Sequence, residues 1–333
     1  MRRSPRLEEL PAPPPDRVGW PWTEASPAVE VPMAEGRPWP RISVVTPSYN
    51  QGQFIEETIR SVLLQGYPDS EYIIMDGGST DGSVEIIKRY ERWLAYWESA
   101  PDRGQAHAIN KGLERLTGSV FTWLNSDDYL LPGALQTVGR HHWERPDAIL
   151  AAPVIDFVDG TDGELQVVPD RLTFRHVVEF WTDKAVWPIP GMFYPAKILS
   201  KTGPFDESLR HYFDYDFLCR VLQAAHPCYL GKPVVRFRLH ESSKSLAEGH
   251  LFLLEAAQVT KRYWGFIPDV DVRGYTRSVS KTLFRSGCSR VLRGHPGGLR
   301  LMAAALRVQP VWAICSALGE LPSYLRRRLR GAR

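Results

Sequence analysis

The chain has 333 residues, of which 43% are hydrophobic and 24% charged, with a formal net charge of +3. That apolar content supports a sizeable core in one large domain with appendages or in two small domains, and the mild charge gives no case for nucleic acid. The four cysteines, Cys219, Cys228, Cys288 and Cys315, include no C-x-x-C pair, so neither a zinc ribbon nor a thioredoxin site is suggested, and their small number fits a reducing compartment. No apolar stretch of secretory type follows the N-terminal arginines, and the most apolar run, Leu301 to Leu318, is broken by Arg307, Gln309 and Pro310. A cytoplasmic protein without a spanning helix is expected.

Residues 1–40 are dense in proline and read as an extended, partly disordered arm wrapped on the domain through Trp20, Trp22 and Trp39. From Arg41 the pattern alternates. Ile42 to Thr46 is a β-rich run ended by Pro47. Gln53 to Gln65 places Ile55, Ile59, Val62 and Leu63 on one helical face. Tyr72 to Met75 is the next strand, and Ser79, Thr80 and Asp81 offer caps for the helix that follows. Tyr96-Trp97 is a third strand, Ala106 to Leu116 a helix, and Val120 to Leu124 a fourth strand. Strand–helix alternation predicts a largely parallel sheet with helices on its faces. Further on, Ile149 to Val158 and Val234 to Leu239 read as strands and Asp214 to Ala225 as a helix. Residues 251–333 read as a helical extension with a basic end at Arg326-Arg327-Arg328-Leu329-Arg330.

The chemically loaded residues sit just after strands, where open α/β sheets bind ligands. Asn125-Ser126-Asp127-Asp128 sets two carboxylates beside each other. That pair suits a hard divalent cation, or a solvated turn of the common acidic kind. Asp76-Gly77-Gly78 suits close approach to a base or ribose, or a plain helix-capping loop. Arg103 and Lys111 suit a diphosphate, or a solvated surface.

As an ordered set these segments resemble the family 2 inverting glycosyltransferases. The resemblance rests on Thr46-Pro47-Ser48-Tyr49-Asn50, Asp76 to Gly82, Asp102-x-Gly104, Ala108 to Gly112 and Leu124 to Asp128, then Phe205 to Leu209 and Phe213 to Arg220. It implies a GT-A fold, a Rossmann-like, mostly parallel sheet flanked by helices, over residues 41–250. It implies a nucleotide-diphosphate sugar as donor, with UDP the expected nucleotide, and a divalent Mn2+ or Mg2+ ion. By this resemblance Pro47, Tyr49 and Asp76 line the nucleoside pocket. Asn50, Asp102, Arg103, Asn110, Lys111, Asn125 and Ser126 complete the donor site. Asp127, Asp128 and His240 are the metal candidates, and Asp214 is the general base, with Asp216 as runner-up; the plain alternative for Asp214 is a helix N-cap.

Three positions depart from the family pattern. Asn125 stands where the first Asp of the D-x-D motif is usual, Ile109 where Arg is common, and Phe213 where Glu is common. The expected acceptor is a glycan or a lipid-linked hydroxyl, in surface polysaccharide or glycolipid synthesis. The basic end offers peripheral contact at the inner membrane face, or simply a solvated helix end. A nucleotidyltransferase acting on sugar phosphates and a non-catalytic nucleotide-sugar-binding protein are the rival readings. The first is disfavoured because Pro47 to Gly52 is not glycine-rich and carries no Arg or Lys to cradle a triphosphate.

Overall fold

The computed structural model describes residues 4–313, apart from 31, 34–35, 162, 183–185, 241–242, 245–247 and 312. The basic end at residues 326–330, and Cys315, therefore lie outside the described residues. Two compact units are present: one takes in residues up to 174 together with 186–240, the other residues 175–182 with those from 243 onward.

The first unit is built on β1 (Ile42–Ser48), β2 (Ser70–Asp76), β3 (Tyr96–Ser99) and β4 (Val120–Trp123), linked through α1 (Ile55–Leu63), α2 (Ser83–Tyr90) and α3 (Gln105–Leu113). These four strands are parallel, in the order β4-β1-β2-β3. Then come β5 (Tyr129–Leu130), α4 (Ala134–Glu144), β6 (Ile149–Ala151), β7 (Val154–Phe157) and β8 (Glu164–Val167). After α5 (Phe174–Val178), β9 (Met192–Pro195) runs antiparallel between β4 and β6. The short α6 (Leu199–Thr202) and α7 (Phe213–Leu222) follow, then β10 (Pro227–Tyr229) and β11 (Val235–Arg238). The main sheet has seven strands, with β10 beside β6, and a second sheet runs β5-β11-β7-β8.

Strand β1 continues through Pro47, where the sequence predicts an end. Pairing with β4 stops at Val45, while pairing with β2 runs on to Ser48. Successive residues of a strand turn their backbone groups to alternate sides, so Pro47 faces the side where no ladder remains. Its missing N–H therefore costs no hydrogen bond. The stretch Ile149 to Val158 is two strands, β6 and β7, separated at Ala152-Pro153 and placed in different sheets.

Both faces of the main sheet are packed. Val44, Ile74 and Val120 join Ile55, Ile59 and Val62 of α1 in one apolar cluster. On α3, a β-carbon at Gly112 would collide with Val45, so this glycine sets how closely α3 lies on β1. Aromatic rings surround α7: Trp123 stacks on Tyr194 with centroids 5.7 Å apart, and Phe205 stacks on Phe217 at 4.2 Å. These contacts fix the helix that carries Asp214.

The proline-rich arm is stitched to the domain. Trp22 and Trp39 are buried, and the Trp20 indole donates to the Leu130 carbonyl at 2.8 Å. The completely buried Arg60 guanidinium donates to the carbonyls of Pro11, Pro21 and Trp22 at 2.8–3.0 Å and to the Tyr90 hydroxyl at 3.1 Å. Arm carbonyls that proline-rich sequence cannot pair internally are satisfied by this one fork of donors.

The second unit holds α8 (Gly249–Val259), α9 (Val272–Leu292) and α10 (Gly298–Val308). Asp271 caps α9, accepting from the Gly274 N–H at 2.8 Å. Tyr275, Val279, Leu283 and Phe284 of α9 pack with Leu301 and Ala305 of α10.

Candidate active site

The loops that leave the carboxyl ends of β1, β2, β3 and β4 lie side by side because those strands are neighbours. Asn50, at φ 51°, turns the loop after β1 through the left-handed region that Asn tolerates. Its N–H donates to the Ser79 hydroxyl at 2.7 Å, and its side-chain oxygen accepts from the Thr80 N–H at 2.9 Å. The Gly52 N–H reaches the Asp81 carboxylate at 2.8 Å. Asp81 also accepts from the N–H and hydroxyl of Ser83, the first residue of α2. The cap expected at Ser79 to Asp81 is thus moved along the chain, with Gly82 at the helix start and Asp81 tying two loops together.

Asp76 is buried and organises the second loop. Its carboxylate accepts from the Gly78 and Ser79 N–H groups at 3.1 and 2.9 Å, and from the hydroxyls of Ser79 and Ser99 at 2.5 and 2.7 Å. Tyr49 is 63% exposed at the rim. A β-carbon at Gly77 would lie 2.8 Å from the Asp102 carboxylate and 3.3 Å from the Tyr49 ring. Glycine is therefore the residue that lets Tyr49 and Asp102 share one slot; Pro47 pairs in register with Met75, two residues before Gly77. Asp102 in turn accepts from the Gly104 N–H at 2.7 Å.

At the end of β4 the four polar residues separate into two roles. Asp127 is partly exposed, and its carboxylate lies 3.0 Å from His240 Nε2. The Phe54 ring packs against the imidazole with centroids 4.7 Å apart. Asp128, expected beside the metal, is completely buried instead. One of its oxygens accepts from the Arg238 N–H and the other from the Asn125 amide, both at 3.0 Å. Burial and the neighbouring Asp127 charge push the Asp128 carboxyl well above its ordinary range, outweighing the Arg238 guanidinium. Asp128 thus holds the turn from within and does not face a pocket. Asn125 also accepts from Gln105 at 2.9 Å, and the buried Ser126 gives its carbonyl to the Thr58 hydroxyl at 3.0 Å.

Arg238 is the hub beneath this turn. It is 2% exposed and donates to the Asp127 carbonyl at 2.9 Å, pairs with Glu57 at 2.5 Å, and also pairs with Asp159. The sequence contains Arg238 beside His240 but carries no sign of these partners, the nearest of which lies 79 positions away.

Asn110 and Lys111, expected to touch the donor, are engaged elsewhere. Asn110 exchanges hydrogen bonds with the backbone of Phe205 at 2.9–3.0 Å and donates to Glu207 at 3.0 Å. Lys111 pairs with Glu98, which is held below its ordinary range by Lys111 and then by Tyr96. Arg103 is 69% exposed and pairs with Glu207 at 2.5 Å. Burial raises Glu207, but hydrogen bonds from Asn110 and Arg103 leave its carboxyl below the ordinary value. Glu207 went unassigned in the sequence; it joins α3 to the segment leading into α7.

The two carboxylates of α7 differ. Tyr212 occupies the N-cap, so Asp214 lies inside the first turn, where a carboxylate is favoured by the helix dipole. It is half-buried, accepts from the Tyr215 N–H at 2.7 Å, and its charge raises the phenols of Tyr194 and Tyr212, after burial as the main cause. Asp216 is buried and bound to Arg220 at 2.9 Å, and Arg220 also donates to the carbonyls of Thr202 and Pro204. Asp216 is thus committed to a structural ion pair.

Among the described residues no three His, Cys, Asp or Glu side chains gather as a metal cage. Asp127 and His240 form a two-group face of oxygen and nitrogen. That fits Mn2+ or Mg2+ only where a diphosphate and water supply the other ligands, a common way to hold such ions.

Residues 43–199 match the family model for glycosyl transferase family 2. An uncharacterized glycosyltransferase of Mycobacterium tuberculosis is 29% identical over 56% of this chain and 71% of its own length. TuaG of Bacillus subtilis, named a teichuronic acid biosynthesis glycosyltransferase, is 45% identical over 27% of this chain and 36% of its own. The crystal structure of S. aureus TarS 1-349 in complex with UDP-GlcNAc superposes with a TM-score of 0.56 at 18% identity, covering 80% of this chain and 81% of that one. Residues 43–199 are therefore a glycosyl transferase family 2 domain, set in a GT-A fold.

Proposed function

We propose that the chain transfers a sugar from a UDP-sugar to an acceptor hydroxyl with inversion, in the synthesis of a surface polysaccharide or glycolipid. The observation that carries the donor site is the slot at Gly77, where Tyr49 and Asp102 meet beside the ends of β1 and β2. Tyr49 offers an exposed ring to a base, and Pro47, Asp76 and Asp102 bound the nucleoside pocket. Asp76 acts there mainly by shaping the loop, since its oxygens already accept four hydrogen bonds. UDP as the nucleotide is supported by the TarS crystal structures that carry UDP-GlcNAc and UDP.

Asp127 and His240 would hold the divalent ion, which when bound neutralises charge on the departing diphosphate. Asn125 keeps one negative charge fewer at this turn than a D-x-D sequence, which favours an ion with tolerance for nitrogen and amide ligands. Asp214 takes the proton from the acceptor hydroxyl as its oxygen attacks the anomeric carbon from the face opposite the diphosphate. One displacement inverts that centre. Asp216 is disfavoured as base because Arg220 occupies it. The acceptor is a glycan or a lipid-linked hydroxyl, and the basic residues 326–330 would bring the chain to an anionic membrane face.

The test is a pair of variants. Asp214→Asn should abolish transfer while UDP still raises the melting temperature, and Asp216→Asn should chiefly lower stability. Full turnover by Asp214→Asn overturns the assignment.

A further inference from the structure

The second unit carries a surface that includes none of the proposed site residues. Between residues 272 and 308 there are eight Lys or Arg and no Asp or Glu. This stretch is the antiparallel pair α9 and α10 with its connecting turn. Its inner faces are tightly closed: a β-carbon at Gly287 would come within 2.7 Å of the Gly298 carbonyl, and one at Gly298 within 2.7 Å of the Gly287 carbonyl. Leu301 and Ala305 complete that buried seam.

The outer side of the pair is apolar as well as basic. Leu292 is 84% exposed, Leu299 73% and Leu306 42%. Leu299 and Leu306 are seven positions apart on α10, so they share a face. Each is followed by an arginine, Arg300 or Arg307, as Leu292 is followed by Arg293. Among the described residues no carboxylate pairs with Arg293, Arg300 or Arg307. A solvated helix gains nothing from bare leucines, and a surface for a soluble polyanion has no use for them. Leucines flanked by arginines, with acidic residues excluded, suit an interface that is apolar within and anionic at its edge.

We propose that the α9–α10 pair docks on an anionic lipid bilayer, with Leu299 and Leu306 entering the acyl boundary and Arg293, Arg300 and Arg307 at headgroup level. This surface is made of residues other than 326–330, and the proposal does not depend on them or on the transfer reaction. The partner is the lipid surface itself, recognised by its charge and its apolar interior.

The test is vesicle flotation of the full chain with phosphatidylcholine alone and with phosphatidylcholine mixed with phosphatidylglycerol. The wild type should float with the mixed vesicles only. In Arg293→Gln/Arg300→Gln/Arg307→Gln, binding should weaken by about a hundredfold at low salt, near fivefold for each cation. Leu299→Ser/Leu306→Ser keeps every charge and should also release the protein. Both variants alter exposed positions, and an unchanged melting temperature checks that they fold. Flotation of both variants like the wild type would overturn the proposal and leave the terminal basic residues as the anchor. Loss with the arginine variant but none with the leucine variant, together with equal binding to soluble polyphosphate, would also overturn it in favour of a polyanion. Failure of the wild type to float at all overturns both membrane readings and leaves the transfer reaction untouched.

Discussion

Asp127 and His240 are 113 positions apart in sequence, yet the carboxylate and imidazole Nε2 are 3.0 Å apart. One stands at the end of β4 and the other just past β11. Arg238 makes the meeting possible: it pins the Asp127 carbonyl and the Asp128 carboxylate two residues before His240. A buried cation with three acidic neighbours and a backbone acceptor fixes the turn on which the candidate metal face stands.

Asp128 makes the turn sensitive to pH. Its carboxyl is raised in the folded state, so folding favours the protonated form. Its contribution is complete below the unfolded value near 3.8 and is lost as pH rises through the folded value. Asp128→Asn should remove this loss. Melting temperature followed from acid to neutral pH should fall less in the variant than in the wild type, and parallel curves would contradict the raised carboxyl.

Tyr49 is exposed and so is free to change without disturbing the core. Stacking on a base is worth about 1–3 kcal/mol. Tyr49→Ala should therefore weaken UDP binding by about tenfold or more, measured by calorimetry, with the melting temperature of the free protein unchanged. Unaltered UDP affinity would remove Tyr49 from the nucleoside pocket.

Asn110 is engaged by the segment that leads into α7. Its hydrogen bonds hold Phe205 and Glu207, which lead into the helix bearing Asp214. Small displacements of reacting groups cost about a hundredfold in rate. Asn110→Ala should lower transfer on that scale while UDP affinity stays close to wild type. A loss of UDP affinity equal to the loss of rate would return Asn110 to the donor site.

Much of this was legible from sequence. The strand–helix alternation over residues 42–124 and the clustering of polar residues after the strands follow from short-range pattern, and they are in place. Local pattern stopped short at Pro47, because a proline's cost depends on where the neighbouring strand ends. It also could not tell Asp127 from Asp128. Adjacent strand-end carboxylates look alike until the long-range partners His240 and Arg238 are placed, one facing outward and one beneath. The surroundings of Asn110 and Lys111 were hidden for the same reason: their partners Phe205, Glu207 and Glu98 are set by packing, not by spacing.

The arm offers a stability test. Arg60→Ala leaves three carbonyls and a phenol without their donor, at a cost of about 3 kcal/mol or more. Urea unfolding should show the drop, and Arg60→Lys should restore little of it, because an ammonium lacks the planar fork. An unfolding midpoint like that of the wild type would mean the arm is not held by Arg60.

The central claim is a nucleotide-diphosphate site at the ends of β1, β2 and β4, completed by a divalent ion on Asp127 and His240. Thermal unfolding with UDP, with and without Mn2+, tests it most directly, since a ligand that binds only the folded state must raise the melting temperature. The rise should be largest with UDP and Mn2+ together and should lose its dependence on Mn2+ in His240→Ala. No rise with any nucleoside diphosphate, with or without Mn2+, would contradict it.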